Sequence, residues 1–110
     1  MRILKKTPTL TAAAANGVVG ATVSTAGMRQ ACMEIHGTFV GEVTVEASAC
    51  GTIWFEVYMR DTGDANHAFA KKVTAPALLG MENMSGIQCL RAKVSAYTSG
   101  EINASIAGIG

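Results

Sequence analysis

The stretch from Met28 to Arg60 alternates apolar and polar residues almost throughout, and this alternation limits what the chain can fold into. Successive side chains of a β-strand point to opposite faces, so a period of two predicts strands with one buried face. Glycines at positions 37, 41 and 51 interrupt the pattern. The alternating pattern, with these interruptions, therefore predicts three consecutive antiparallel strands, over 28–36, 39–48 and 52–60.

The turn between the first two strands has two interpretations. Gly37 and Thr38 together suit a tight hairpin turn. Gly41 instead suits a β-bulge or the true corner, because glycine inside a strand often marks such a site. The sequence leaves both open.

The strand predicted over 52–60 has two distinct faces. Its stripe expected to be buried consists of Ile53, Phe55, Val57 and Met59. Trp54, Glu56 and Tyr58 form the other face. Two aromatic residues there indicate that this second face is also partly covered.

After Arg60 the chain continues as short apolar segments separated by turn signals. These segments predict strands over 67–74, 87–97 and 102–107. Residues 77–84 suit either a short helical turn or an irregular crossing between sheets. Six or seven short strands without a convincing helix predict an all-β fold, an antiparallel β-sandwich or a small barrel.

Residues 1–27 are rich in Thr, Ala, Gly and Ser and carry few large side chains. We expect an extended N-terminal arm, with one short strand around 18–24, ahead of a sandwich domain over 28–110. Such an arm becomes ordered along a neighbouring subunit, and a flexible tail is the alternative. Basic residues and alanines faintly resemble a signal peptide, but Lys5–Thr9 interrupts the place of its apolar segment, so none is expected.

The composition favours a protein that works inside an assembly. Hydrophobic residues make up 49% of the chain, yet much of this is alanine, and there are only one Trp, two Tyr and three Phe. Charged residues are 15% of the chain and the net charge is +1. Low charge argues against capture of nucleic acid or an anionic membrane, and it favours self-association.

No set of residues predicts catalysis, a metal site or a cofactor. Cys32, Cys50 and Cys89 are odd in number and lack CxxC spacing, so we expect buried free thiols in a reducing compartment. Cys32 and His36 share a strand face but lie ~13 Å apart along it, too far to ligate one ion. The Asp61–Asn66 stretch lacks the closing glutamate of a calcium loop, so a solvated turn is expected.

The segment GTFVGEVTVEASACGTIWFEV, residues 37–57, resembles a pattern of small bacteriophage proteins. In these proteins a Gly-Thr-Phe corner leads into an alternating Thr-Val strand, a turn and a Trp that opens the next strand. Further matches are the Arg-bearing strand over 86–94, the turn at 99–100 and the final strand before Gly108. The resemblance covers about residues 28–110, with departures at Val40 and at the turn over 49–51.

This resemblance implies a virion component with a jelly-roll-like sandwich, in particular a capsid decoration (cement) protein. It implies a structural protein without enzymatic activity, located in the virion. The implied partners are the major capsid protein and copies of the chain itself, as a homotrimer, with no nucleic acid or membrane. A tail or head–tail junction component is the alternative within the same class.

The candidate contact residues lie in the arm, on the second face of the strand over 52–60, and in two loops. They are Thr9, Val18, Val19, Val23, Trp54, Tyr58, Asp61, Asp64, Leu78, Leu79 and Met81. A carbohydrate-binding module is the rival function, with Trp54 and Tyr58 stacking on sugar rings. Packing of these rings under the arm or at a subunit interface is favoured over sugar binding, because a thin core needs its few aromatic residues.

Overall fold

The computed structural model describes residues 3–63, 65–66, 68–82, 84 and 86–110, with side chains from residue 6 onward. No helix in this part of the chain is long and apolar enough to cross a membrane. The described residues form eleven strands. These are β1 (Ile3–Ala13), β2 (Val23–Ser24), β3 (Gln30–His36), β4 (Phe39–Ser48), β5 (Phe55–Glu56), β6 (Met59–Asp61), β7 (Phe69–Ala70), β8 (Lys72–Val73), β9 (Ala77–Met81), β10 (Cys89–Gly100) and β11 (Ile102–Ile109).

The strands form two antiparallel sheets packed face to face, so the predicted all-β sandwich is confirmed. One sheet has the order β1-β11-β3-β9-β6-β7, and the other has the order β2-β10-β4-β5, with β8 also paired to β4. Alternate residues of the long strands point into the space between the sheets and are almost fully buried. The shorter strands β6 and β9 add Met59 and Leu79 to this core. Its largest side chains are Met33, Ile35, Met59, Leu79, Leu90, Ile102 and Ile106.

The chain passes from one sheet to the other twice at the same corner of the sandwich. β3 continues into β4 and β10 continues into β11, and each pair of neighbours changes sheet there. Gly37 and Gly100 adopt positive φ angles of 119° and 90°, and the Glu101 amide donates to the Thr38 carbonyl at 3.0 Å. The corner is therefore at Gly37-Thr38. Gly41 lies opposite Tyr97, between two register shifts in the β4–β10 pair.

The prediction of a separate arm over 1–27 ahead of a domain over 28–110 is wrong. The segment is extended, but β1 pairs along β11 inside this chain, and β2 pairs with β10. Leu10, Ala13 and Val23 belong to the core, each less than a tenth exposed. β1 supplies hydrogen-bond partners that β11 would otherwise lack on that side. Pro8 is tolerated because β1 is an edge strand.

The single strands predicted over 52–60 and 67–74 are each broken in two. β5 belongs to the five-stranded sheet and β6 to the other, and the chain later returns from β7 to β8. This part of the chain runs along one open side of the sandwich. Ile53 and Phe55, predicted as buried, are 62% and 67% exposed as a result. Of the predicted stripe, Met59 alone is fully buried.

Residues 77–81 form neither a helical turn nor an irregular crossing. They form β9, which lies inside the six-stranded sheet between β3 and β6. Leu79 is fully buried there. The other predicted strands are found within a few residues of their expected bounds, and 39–48 is found with those bounds.

Candidate binding surface

A row of small side chains crosses the outer face of the six-stranded sheet. Ala107 of β11 lies opposite Cys32 of β3, which lies opposite Gly80 of β9. Gly80 in turn lies opposite Arg60 of β6, and Arg60 opposite Phe69 of β7. Residues directly opposite one another share a sheet face, so the row spans five strands on one surface.

The small residues of this row line a depression, which Gln30, Glu82 and Ile109 border on one side. A hollow of about 410 Å³ lies over Cys32, Gly80 and Ala107. A second hollow, of about 310 Å³, lies over Tyr58, Arg60 and Phe69. The two hollows share lining residues and form one depression, here called the sheet groove. Its defining residues are Cys32, Tyr58, Arg60, Phe69, Gly80, Met81, Glu82 and Ala107.

The charges of the sheet groove are balanced. Arg60 and Glu82 form an ion pair, and Lys6 lies 3.4 Å from Glu34 on the neighbouring row. These side chains are partly exposed, and exposed ion pairs contribute little to stability. A neutral groove with an apolar floor suits an uncharged polypeptide surface better than a nucleic acid.

Large apolar side chains are exposed at the open side of the sandwich where β5 and β7 end the two sheets. Ile53, Phe55, Tyr58 and Phe69 are 59–69% exposed, and together they are called the aromatic edge. Phe55 lies opposite Ala47, a core residue, so an apolar inner face continues out to this edge. Burying one such side chain is worth ~1.5–3 kcal/mol, so a partner that covered the edge would gain substantially.

Tyr58 is held at the junction of the sheet groove and the aromatic edge. The Lys71 ammonium lies 5.5 Å from the centre of its ring and 3.7 Å from a Glu56 carboxylate oxygen. The contact orients the ring while leaving 59% of the residue exposed. Tyrosine in such a setting offers an apolar ring and a hydroxyl to a partner.

Trp54 is not part of either surface. The Arg91 guanidinium carbon lies 3.9 Å from the centre of its ring, and Arg91 Nε donates to Glu46 at 2.8 Å. The chain changes sheet between Trp54 and Tyr58, so the predicted pair of rings on one strand face is not formed. The arrangement gives no support to sugar stacking on that pair.

Three predicted contact residues are buried inside the chain and have no surface to offer. Val23 and Leu79 are core residues. The Thr9 hydroxyl donates to the Ala21 carbonyl at 2.7 Å and accepts from the Ala92 amide at 3.2 Å. These side chains stabilise the fold, and their prediction as surface contacts is wrong.

The other predicted contact residues are scattered. Met81 and Tyr58 line the sheet groove, and Leu78, 45% exposed, lies beside it. Val18 packs against the core, and Val19, 48% exposed, lies on β10's side of the molecule. Asp61 accepts a hydrogen bond from the Gly63 amide at 2.9 Å within a turn. Asp64 lies outside the described residues.

Sequence reasoning missed Phe69 and the groove floor. Phe69 lay in a predicted strand, but nothing in its local pattern marks it as exposed. Cys32, Gly80 and Ala107 are far apart in sequence, and only strand register brings them into one row. The sequence carries no local signal for that register, so the row could not be predicted from it.

The three cysteines are unpaired, and the prediction that they are buried is wrong. Cys50 is exposed, and Cys32 and Cys89 are partly exposed. Among the described His, Cys, Asp and Glu residues, no group of three comes together in a way that could hold a metal ion. His67 lies outside the described residues.

No family model matches the chain, and no curated protein matches it in sequence. Two solved structures share its fold. The SPBc2 prophage-derived protein YomS superposes with a TM-score of 0.84 at 12% identity, over 96% of this chain and 92% of that one. The PBSX exported protein XepA superposes with a TM-score of 0.84 at 14% identity, over 99% of this chain and 38% of that one. At these identities the likeness establishes a common fold, and it includes the N-terminal strand.

Proposed function

We propose that this chain is a bacteriophage structural protein, and specifically a capsid decoration protein that binds the shell through the sheet groove and the aromatic edge. The observation that carries the proposal is the exposure of Phe55, Tyr58 and Phe69 in a chain with few large apolar residues. The phage-like corner and strand motifs support the phage origin. The common fold with two prophage-encoded proteins supports it as well.

The proposed binding is non-covalent and needs no cofactor or catalysis. Interfaces of standard size bury ~1,200–2,000 Å², and a few aromatic residues contribute most of their free energy. Among the described residues, β5 and β7 are the last strands of their sheets, and an extended partner segment can add a strand at such an end. The proposed partners are the major capsid protein and two further copies of this chain, as a homotrimer.

The test uses capsids purified from a phage mutant that lacks this protein. Added wild-type protein is expected to sediment with these capsids and raise their resistance to heat or chelators. Tyr58→Ala/Phe69→Ala is expected to lose at least ten-fold in affinity, because both rings lie on the proposed contact surface. Val19→Ala is the matched control, since Val19 is also exposed but lies away from that surface. Equal binding by the double variant and the wild type would contradict the proposal.

An exported phage protein outside the virion is the second candidate. It is favoured by the likeness to XepA, which is described as an exported protein and of which this chain spans 38%. Quantitative mass spectrometry of purified particles and of cell-free culture medium separates the two. Stoichiometric copies in the particle support a virion role, and antibody labelling then distinguishes the shell from a tail or head–tail junction.

A further inference from the structure

Two of the three cysteines meet at one end of the five-stranded sheet. Cys89, at the start of β10, lies directly opposite Ser48, the last residue of β4. The chain turns immediately after Ser48, and the Ser48 hydroxyl accepts from the amides of Cys50 at 3.2 Å and Gly51 at 2.7 Å. The turn that carries Cys50 is thereby folded over Ser48, on the face that Cys89 shares.

The turn that carries Cys50 lies close to the thiol of Cys89. Cβ atoms of directly opposite residues lie about 4.5–5.5 Å apart. Cys50 Sγ is 4.0 Å from Ser48 Oγ. A methyl group placed on Gly51 would lie 3.8 Å from Cys89 Sγ, with no other atom nearer than 4 Å outside its own chain neighbours. Cys32 is on the outer face of the other sheet and cannot compete for either thiol.

Cys50 has the properties of an attacking thiol. It is exposed, and its sulfur lies 3.0 Å from Thr52 Oγ1. Hydrogen bonds from the Thr52 hydroxyl, then from the Thr52 and Ile53 amides, lower the pKa of the Cys50 thiol to about 7. The thiolate is the nucleophile in thiol–disulfide exchange, so a large fraction of Cys50 is reactive at neutral pH.

We propose that Cys50 and Cys89 form a dithiol site that a small disulfide, such as oxidised glutathione, converts to an intrachain disulfide. The Cys50 thiolate attacks one glutathione sulfur, forming a mixed disulfide and releasing one glutathione thiolate. Cys89 loses its proton and attacks the Cys50 sulfur, which releases the second glutathione. Two electrons pass from the cysteine pair to glutathione, and the two cysteine protons end on its two thiols.

The bond would close the loop over 50–89, which carries the whole aromatic edge and the strands β5–β9. Closing a loop of this length restricts the unfolded chain and stabilises the folded one. The oxidised protein is therefore expected to melt at a higher temperature than the reduced protein. The site is independent of the proposed capsid role, since it needs no partner.

The test treats the reduced full-length protein with oxidised glutathione and follows free thiols and peptide masses. The wild type is expected to fall from three free thiols to one, with the Cys50 and Cys89 peptides joined and no glutathione retained. Cys32→Ser is the matched control and is expected to lose the same two thiols. Cys89→Ser is expected to stop at a stable mixed disulfide on Cys50.

Other outcomes overturn the proposal. A wild type that retains glutathione on Cys50 shows that Cys89 is out of reach. A disulfide that includes Cys32, or one that joins two chains in dilute solution, shows that another pairing is preferred. Circular dichroism of each variant establishes that it is folded before its thiols are counted.

Discussion

The corner glycines illustrate how much single backbone positions contribute to this fold. Gly37 and Gly100 both have positive φ, and each lies against the backbone of the other strand. A Cβ on Gly100 would collide with the Thr38 carbonyl, and one on Gly37 would collide with the Glu101 carbonyl. Since these atoms are backbone, no side-chain rotation relieves the contact.

Gly100→Ala is therefore expected to lower the free energy of unfolding by ~3 kcal/mol or more, because it combines a steric clash with a strained φ. Urea denaturation measures the change. Gly17→Ala is the matched control, since Gly17 also has positive φ, 75°, but open space around its Cβ position. It is expected to cost only ~1–2 kcal/mol, the cost of a left-handed conformation. Equal losses would show that the corner contact is unimportant.

The reactivity of the Cys50 thiol is expected to depend on pH. Its thiolate is hydrogen-bonded in the folded state, so the rate of alkylation by iodoacetamide should be half-maximal near pH 7, the value of its lowered pKa. Thr52→Val removes the largest cause and should move the midpoint upward, towards the ordinary 9.0. Cys50→Ser measures the background from the other two thiols. Because the folded pKa is the lower one, the associated stabilisation is present above pH 9 and is lost as the pH falls through about 7.

Arg91 contacts both the Trp54 ring and the Glu46 carboxylate. The side chains of Arg91 and Glu46 are only 20% and 12% exposed, so removing the guanidinium leaves a shielded carboxylate without its partner. Arg91→Ala is expected to cost ~1–3 kcal/mol by denaturation. It should also change the fluorescence of Trp54, the sole tryptophan. Lys6→Ala, which removes an exposed ion pair, is the control and should cost less than ~1 kcal/mol.

At the scale of elements, β1 and β9 gain their structure from their neighbours. β1 pairs with β11 over most of its length, although its sequence includes Pro8 and ends at Ala13, inside a run of four alanines that begins at Ala12. β9 is enclosed between β3 and β6. In both cases a long neighbouring strand with unpaired backbone groups selects the extended form over the weak local preference for a helical turn.

Leu10→Ala tests whether β1 belongs to the sandwich. Leu10 is 3% exposed, so its truncation is expected to lower the free energy of unfolding by ~2–5 kcal/mol. Leu78→Ala removes the same atoms from a side chain that is 45% exposed and should cost much less. Similar, small losses for both variants would mean that residues 1–13 form a detached arm after all.

At the scale of the whole molecule, the two open strand edges place most exposed aromatic side chains on one side. The opposite side is closed by β1 and β2, which pack near each other and against β10. A molecule with one apolar side and low net charge has a defined direction for association. This asymmetry is what the proposed homotrimer and capsid contacts both require.

Self-association through the aromatic edge is tested with Phe55→Ser/Phe69→Ser. Light scattering after size exclusion should give a trimer mass for the wild type and a monomer mass for the double variant. The circular dichroism spectrum should be unchanged, because both side chains are at least 67% exposed in the single chain and the fold does not depend on them. A wild type that is monomeric at high concentration would contradict the homotrimer and restrict the edge to the capsid contact.

The sequence by itself determined the four long strands at the centre, β3, β4, β10 and β11. Their alternation permits one register, since a shift of one residue would turn every apolar side chain to water. Tertiary structure decided the rest. It recruited β1 and divided 52–60 between two sheets. It also left Phe55 and Phe69 exposed on β5 and β7, the last strands of the two sheets in the described part of the chain. It also assembled the sheet groove, because residues 32, 80 and 107 meet only through cross-strand register, which local periodicity does not encode.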